Sequence, residues 1–201
     1  KRYIPTPPRI YQGDNAGRLM EFTIYPADVE KALCKLNINK TPGPDGIHPR
    51  ILKEAKIELI KPLTIIFNQT LREGKVPNDW KKANVTAIFK NGDKKDPSNY
   101  RPISLTSVIC KLIETIIRDK IVNHLEDNSL ILNSQHGFRR GRSCLTNLIE
   151  FFQKVINIHD DGDPVDIVYL DFKKAFDKVP HERLMAKLKA HGINGEVANW
   201  I

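Results

Sequence analysis

Cysteine is scarce in this 201-residue chain: Cys34, Cys110 and Cys144 lie far apart and form no CxxC pair. That spacing excludes a disulfide framework and a cysteine-based zinc site, and each thiol reads as a small buried apolar residue. The six histidines are equally dispersed, so a metal centre built from His and Cys is not expected. Long apolar runs are missing as well. No stretch approaches the roughly 20 residues that cross a bilayer, and the leading KRYIPTPPRIYQGDNAGR lacks the apolar centre of a signal peptide. The expectation is a soluble intracellular protein with no membrane partner. Internal repeats and low-complexity tracts are also absent.

What remains is the mixture of a folded globular protein, 40% hydrophobic and 28% charged. The length suits one sizeable core, or a large lobe with the beginning of another. Basic residues outnumber acidic ones by 32 to 24, a formal charge of +8. A polyanionic partner would explain the excess, and so would a merely basic surface.

Residues 1–25 read as an extended lead-in. From Pro26, Ala27, Val29, Leu33 and Leu36 fall at helical spacing, with Asp28 and Glu30 in the first turn where the helix dipole favours acids. NKTPGPDGIHPR, Asn39 to Arg50, is a loop shaped by glycine and proline. Ile51 to Arg72 is helical, with a kink or break expected at Pro62. NVTAIFK (Asn84–Lys90) and YRPISL (Tyr100–Leu105) flank a clear turn, giving a hairpin with a basic tip on which Lys90, Lys94, Lys95 and Arg101 gather. Ser107 to Leu125 carries the apolar stripe Leu112, Ile113, Ile116, Ile117, Ile121 and Leu125.

NSQHGFRRGRSC, Asn133 to Cys144, sets Arg139, Arg140 and Arg142 among glycines and opens another helix through Ser143 as its N-cap. Glycine lets backbone approach a ligand, and arginine grips phosphate bidentately. The following helix displays Leu145, Leu148, Ile149, Phe152, Val155 and Ile156 and stops at HDDGDP. VDIVYLD, from Val165, then reads as a buried strand ending on Asp171. Helical KKAFDKV follows, and another helix from Glu182 to Ala190 is closed by Gly192. This order of elements places the chain in the α+β class, helix-rich with a few antiparallel strands. Asp171 either holds a hard divalent cation such as magnesium or caps a helix beginning at Phe172. The acids of HDDGDPVD read as a loop rather than as a second catalytic cluster.

Four segments together resemble the reverse transcriptases of non-LTR, LINE-type retrotransposons: TPGPDGI (Thr41–Ile47), WKKANVTAIFKNGDKKDPSNYRPISLTS (Trp80–Ser107), QHGFRRGRSC (Gln135–Cys144) and YLDFKKAFDKVPHERL (Tyr169–Leu184). The resemblance implies a right-hand polymerase, with fingers over 26–160 and the start of the palm over 161–201, the palm being incomplete and the thumb missing. It also implies roles. Asp171 matches the first catalytic aspartate and magnesium ligand, and Phe172 the neighbour whose carbonyl completes the metal shell. Phe176 matches the gate that excludes a ribose 2′-hydroxyl, core packing being its other reading. Lys90 and Arg101 match the residues that hold the incoming triphosphate. Arg139, Arg140 and Arg142 resemble a template-side element that follows phosphates without reading bases. The implied partners are an RNA template, a DNA primer and deoxynucleoside triphosphates. The implied place of action is the nucleus, after a cytoplasmic ribonucleoprotein stage.

The pattern departs from the family in one respect. The downstream aromatic-x-Asp-Asp hairpin does not follow Asp171 before Ile201. Two expectations arise: RNA-directed DNA synthesis by the complete protein, with this stretch inactive alone; or a truncated transposon remnant acting as a nonspecific nucleic-acid-binding module.

Overall fold

The computed structural model describes residues 17–172 and 175–201. Most of the expected lead-in lies outside them, as do Lys173 and Lys174 of the aspartate motif. Among the described residues the helices are α1 Pro26–Cys34, α2 Pro49–Glu54, α3 Lys56–Glu73, α4 Val108–Asp127, α5 Cys144–Asp160, α6 His181–Ala190 and α7 Gly195–Trp200. One antiparallel hairpin, β1 Ala83–Phe89 and β2 Tyr100–Thr106, supplies the described strands.

The core is made by α1, α3, α4 and α7. Val29 and Leu33 of α1 meet Leu63, Phe67 and Leu71 of α3, Leu112, Ile113, Ile116 and Ile117 of α4, and Val197 of α7. Trp80 closes one side with its ring edge-on to Phe67, centroids 6.0 Å apart. The stripe expected on α4 is therefore buried, with Ile121 and Leu125 packed at its margin.

The break expected at Pro62 falls elsewhere: Pro62 lies inside α3, and the chain turns at Ala55, between α2 and α3. Pro62 is exposed, on the side away from Leu63, Phe67 and Leu71. An interior proline costs about 3 kcal/mol. Burying three large side chains at about 1.5–3 kcal/mol each outweighs it.

The visible end of the lead-in is more than a spacer. Leu19 forms a parallel bridge with Ile193, its N–H donating to the Gly192 carbonyl at 2.9 Å. Asn68 of α3 clamps Ile24, its Oδ1 accepting from the Ile24 N–H at 2.9 Å and its Nδ2 donating to the Ile24 carbonyl at 2.8 Å. Residues 17–25 thus stitch α3 to the α6–α7 end of the chain.

Gly43, in the proline-rich loop, lies against the β2–α4 junction. A Cβ there would stand 2.6 Å from backbone atoms of Thr106 and Ser107. Only glycine permits that approach, which holds the loop beside Ser107, the buried N-cap of α4.

Three expectations are corrected. The strand at 165–171 does not form, and Tyr169 and Leu170 are 81% and 91% exposed. A strand persists only where a neighbour takes up its N–H and C=O groups; β1 and β2 pair with each other, and no described strand is left for Val165–Asp171. The helix expected over KKAFDKV reduces, in the described residues, to one 3-10 turn at Phe176–Lys178. Of the three cysteines only Cys110 is buried, and Cys34 and Cys144 are exposed. Burial of Cys110 beside Glu114 pushes its thiol up to about 12.

Candidate nucleic-acid interface

The hairpin is built to hold its basic residues in place. Phe89 opposes Tyr100, and the Lys90 N–H donates to the Asn99 carbonyl at 2.8 Å, carrying the ladder one step beyond β1. Arg101 opposes Ile88, so Lys90 and Arg101 are diagonal neighbours on one face. Both are exposed, and among the described residues neither side chain makes a hydrogen bond or ion pair. The turn is fixed from within. Tyr100 donates its hydroxyl to the Lys94 carbonyl at 2.8 Å, and Asn99 donates to that of Asp93 at 2.9 Å. The Asp96 carboxylate accepts from the Ser98 N–H and hydroxyl, which holds its pKa below the ordinary value. Lys94 and Lys95 are carried to the opposite face, where with Ala87, Pro97, Tyr100 and Pro102 they line an open concavity of about 450 Å³.

The arginine loop is shaped before α5 begins. Ser143 caps α5, its Oγ accepting from the Thr146 N–H at 3.2 Å while the Thr146 hydroxyl accepts from the Ser143 N–H at 2.9 Å. Arg139 is half-buried: its Nη1 donates to the Leu132 carbonyl at 3.1 Å, and its Nε is buried without a partner among the described residues. Arg140 is exposed. Arg142 holds Nη1 3.9 Å from Glu150 Oε2, the outer limit of an ion pair.

Phe138 is 93% exposed, with a positive φ of 58°. Its ring meets that of Phe176 edge-on, centroids 6.3 Å apart. This contact joins two motifs 38 positions apart in sequence, the arginine loop and the aspartate segment. A second aromatic contact, Phe151 with Tyr169 at 6.2 Å, lays the segment before Asp171 beside α5.

Asp171 and Phe172 are both exposed on that segment. No helix starts at Phe172 for Asp171 to cap; the first described turn is Phe176–Lys178. Phe176 is 82% exposed, so it serves no core packing. No group of three metal-binding side chains assembles among the described residues. A magnesium pair needs several oxygen ligands, and the single carboxylate of Asp171 does not supply them. The described residues therefore do not by themselves fit that metal pair.

The sequence reading missed His136 and Glu150, which tie the arginine loop to α5. Its usable signal was the spacing Thr146, Glu150, Lys154, one helical turn apart on one face. His136 carried no such signal, because its partners lie ten and fourteen positions further on.

Residues 91–201 match the reverse transcriptase (RNA-dependent DNA polymerase) family, a span that contains Arg101, the arginine loop, Asp171 and Phe176 and begins one residue after Lys90. The chain belongs to the reverse transcriptase family. Among its relatives is a probable RNA-directed DNA polymerase from transposon BS of Drosophila melanogaster, 32% identical over 174 residues, which are 85% of this chain and 19% of that protein. Another is the RNA-directed DNA polymerase from mobile element jockey of Drosophila melanogaster, 28% identical over 81% of this chain and 18% of the relative. The Pol polyprotein of the R2 element of Popillia japonica is 28% identical over 89% of this chain and 24% of its own length. The resemblance to non-LTR retrotransposon polymerases stands, and the chain spans about a fifth of the length of these relatives.

Proposed function

We propose that the chain is the fingers, residues 26–160, and the beginning of the palm, 161–201, of a polymerase that copies an RNA template into DNA from a DNA primer. The observation that carries this reading is the Phe138–Phe176 contact, which lays the arginine loop beside the aspartate segment inside the span matching the family. Phosphate-binding cations and the catalytic acid must face the same nucleic acid, and that contact supports such an arrangement. On this reading Lys90 and Arg101 receive the triphosphate of the incoming deoxynucleotide, Phe176 tests its sugar, and Arg139, Arg140 and Arg142 follow template phosphates. Asp171 and the Phe172 carbonyl contribute to magnesium binding only together with carboxylates from the rest of the polymerase. The work is done in the nucleus after a cytoplasmic ribonucleoprotein stage.

The test is Asp171→Asn in the protein translated with its full coding sequence. Primer extension on RNA is expected to vanish while RNA binding and thermal melting stay as in the parent. Extension that survives the substitution refutes the catalytic role, and a lost fold makes Asp171 structural. If the complete coding sequence supports no extension but RNA binding weakens steeply with salt, the chain is a nonspecific binding module.

A further inference from the structure

His136 is a buried polar side chain that the polymerase reading leaves without a task. Only 4% of its side-chain surface is exposed, and both ring nitrogens are engaged: Nδ1 lies 2.9 Å from Thr146 Oγ1 and Nε2 lies 2.9 Å from Glu150 Oε2. Thr146 is itself fixed, its hydroxyl donating to the Ser143 carbonyl at 2.9 Å. The other carboxylate oxygen of Glu150, Oε1, accepts from Lys154 Nζ at 2.7 Å. These contacts, the Lys154 hydrogen bond first and that of His136 next, hold the Glu150 carboxyl down to about 2, so it is ionised at neutral pH.

The arrangement decides what Arg142 can do. Glu150 is the one acid paired with the arginine loop among the described residues, and Arg142 Nη1 stands 3.9 Å from it. A guanidinium in reach of an unoccupied carboxylate closes to a bidentate pair at hydrogen-bond distance. Here both oxygens already have donors. Arg142 is oriented toward α5 without being consumed there, and its side chain keeps 33% of its surface exposed.

We propose that His136 is a positioning residue: by occupying Glu150 it keeps Arg142 available to a nucleic-acid phosphate. The proposal rests on the reading of the arginine loop as a nucleic-acid contact. Without His136, Oε2 of Glu150 captures Arg142, and the loop neutralises itself. His136 touches no nucleic acid and acts through Arg142 alone.

The test uses this chain and a uridine-only RNA oligonucleotide, with affinity measured by fluorescence anisotropy across a salt series. Removing one phosphate-neutralising cation from a complex with a single strand makes the log–log salt slope shallower by about 0.7. Arg142→Ala and His136→Ala are each expected to show that change, and the double variant no further change. His136→Gln, which keeps a donor for Glu150, is expected to hold the parent slope. His136→Ala combined with Glu150→Gln is expected to regain it, because no carboxylate remains to trap Arg142; damage to the fold would not be repaired this way. Additive losses in the double variant overturn the proposal, as does failure of Glu150→Gln to rescue. A shallower slope for Arg142→Ala with none for His136→Ala sinks the proposal and leaves the arginine-loop reading standing. Parent slopes in both Arg140→Ala and Arg142→Ala sink the two together. Should His136→Ala lose its helical circular dichroism, Lys154→Met on the exposed face opens the other carboxylate oxygen. A shallower slope restored by Glu150→Gln then supports the proposal, and one not restored refutes it.

Discussion

Helices α4 and α5 have similar lengths and opposite fates. α4 buries Leu112, Ile113, Ile116 and Ile117, whereas α5, whose apolar residues are the better segregated to one face, has no buried residue. Leu145, Leu148, Ile149, Phe152 and Ile156 of α5 are all exposed. The difference teaches that an amphipathic stripe specifies a helix and the direction it would bury, and nothing about whether a neighbour is there to cover it. The same contrast divides the molecule. α1, α3, α4 and α7 share a closed core, while the hairpin, the arginine loop with α5, and the aspartate segment carry the candidate functional residues and contribute little to that core.

The comparison is broken most directly by truncating one large side chain on each side of it. Phe67→Ala, in the core, is expected to cost about 3–5 kcal/mol. Phe152→Ala, on α5, is expected to fall within about 0.5 kcal/mol of the parent. Urea unfolding of the two variants decides, and equal losses would mean that α5 is covered in solution.

Next in size is the seam between core and loop. Gly43→Ala forces a methyl group onto the backbone at Thr106 and Ser107, an overpacking expected to cost about 1–3 kcal/mol. Gly46→Ala three residues away meets no atom, and its positive φ of 69° makes it the smaller loss, about 1 kcal/mol. Thermal melting ranks the pair, and the reverse order would unseat the Gly43 contact.

A sharper probe follows pH at the loop–α5 joint. The Glu150 carboxyl lies below its ordinary value of 4.5, at about 2, when folded. A depressed carboxylate stabilises the fold above its unfolded value, and that contribution is lost as pH falls from about 4.5 through about 2. Protection against amide exchange at residues 136–146, taken relative to an unstructured peptide at each pH, is expected to fall as pH drops across that interval in the parent and to stay flat in Glu150→Gln. Parallel curves would show that Glu150 does not hold the loop.

The smallest effect concerns thiols. Cys34 and Cys144 are expected to alkylate at neutral pH while Cys110 stays unmodified until unfolding, because burial keeps its thiol protonated. Since the folded thiol sits at about 12 against an ordinary 9.0, any stability it contributes is present below 9.0 and lost as pH climbs toward 12. Equal labelling of all three would show that the α4 end of the core opens readily.

Local elements were legible because their signals are local. Ser143 announces the start of α5 and Gly192 the end of α6 by chemistry that needs only adjacent backbone. The hairpin followed from alternation on either side of a turn, but the expected gathering of all four basic residues did not: Lys90 and Arg101 share one face, and the turn carries Lys94 and Lys95 to the other. The helix runs unbroken through Pro62 because the cost of that proline is local and the burial that outweighs it is not. VDIVYLD was misjudged for the converse reason: its residues favour a strand, but a strand is completed by hydrogen bonds from another segment. The Gly43 approach and the His136–Glu150 contact were invisible for the same cause, each joining positions whose distance in sequence carries no pattern.

The amino-acid order by itself determined α1, α4, α5 and α6, the hairpin and the family, since periodicity, caps and motif spacing are properties of neighbouring residues. Tertiary structure alone decided which apolar faces are covered, that the arginine loop lies against the aspartate segment through Phe138 and Phe176, and that Arg142 is held at arm's length from Glu150. Those outcomes depend on distances between segments remote in the chain, and such distances exist only once the chain has folded.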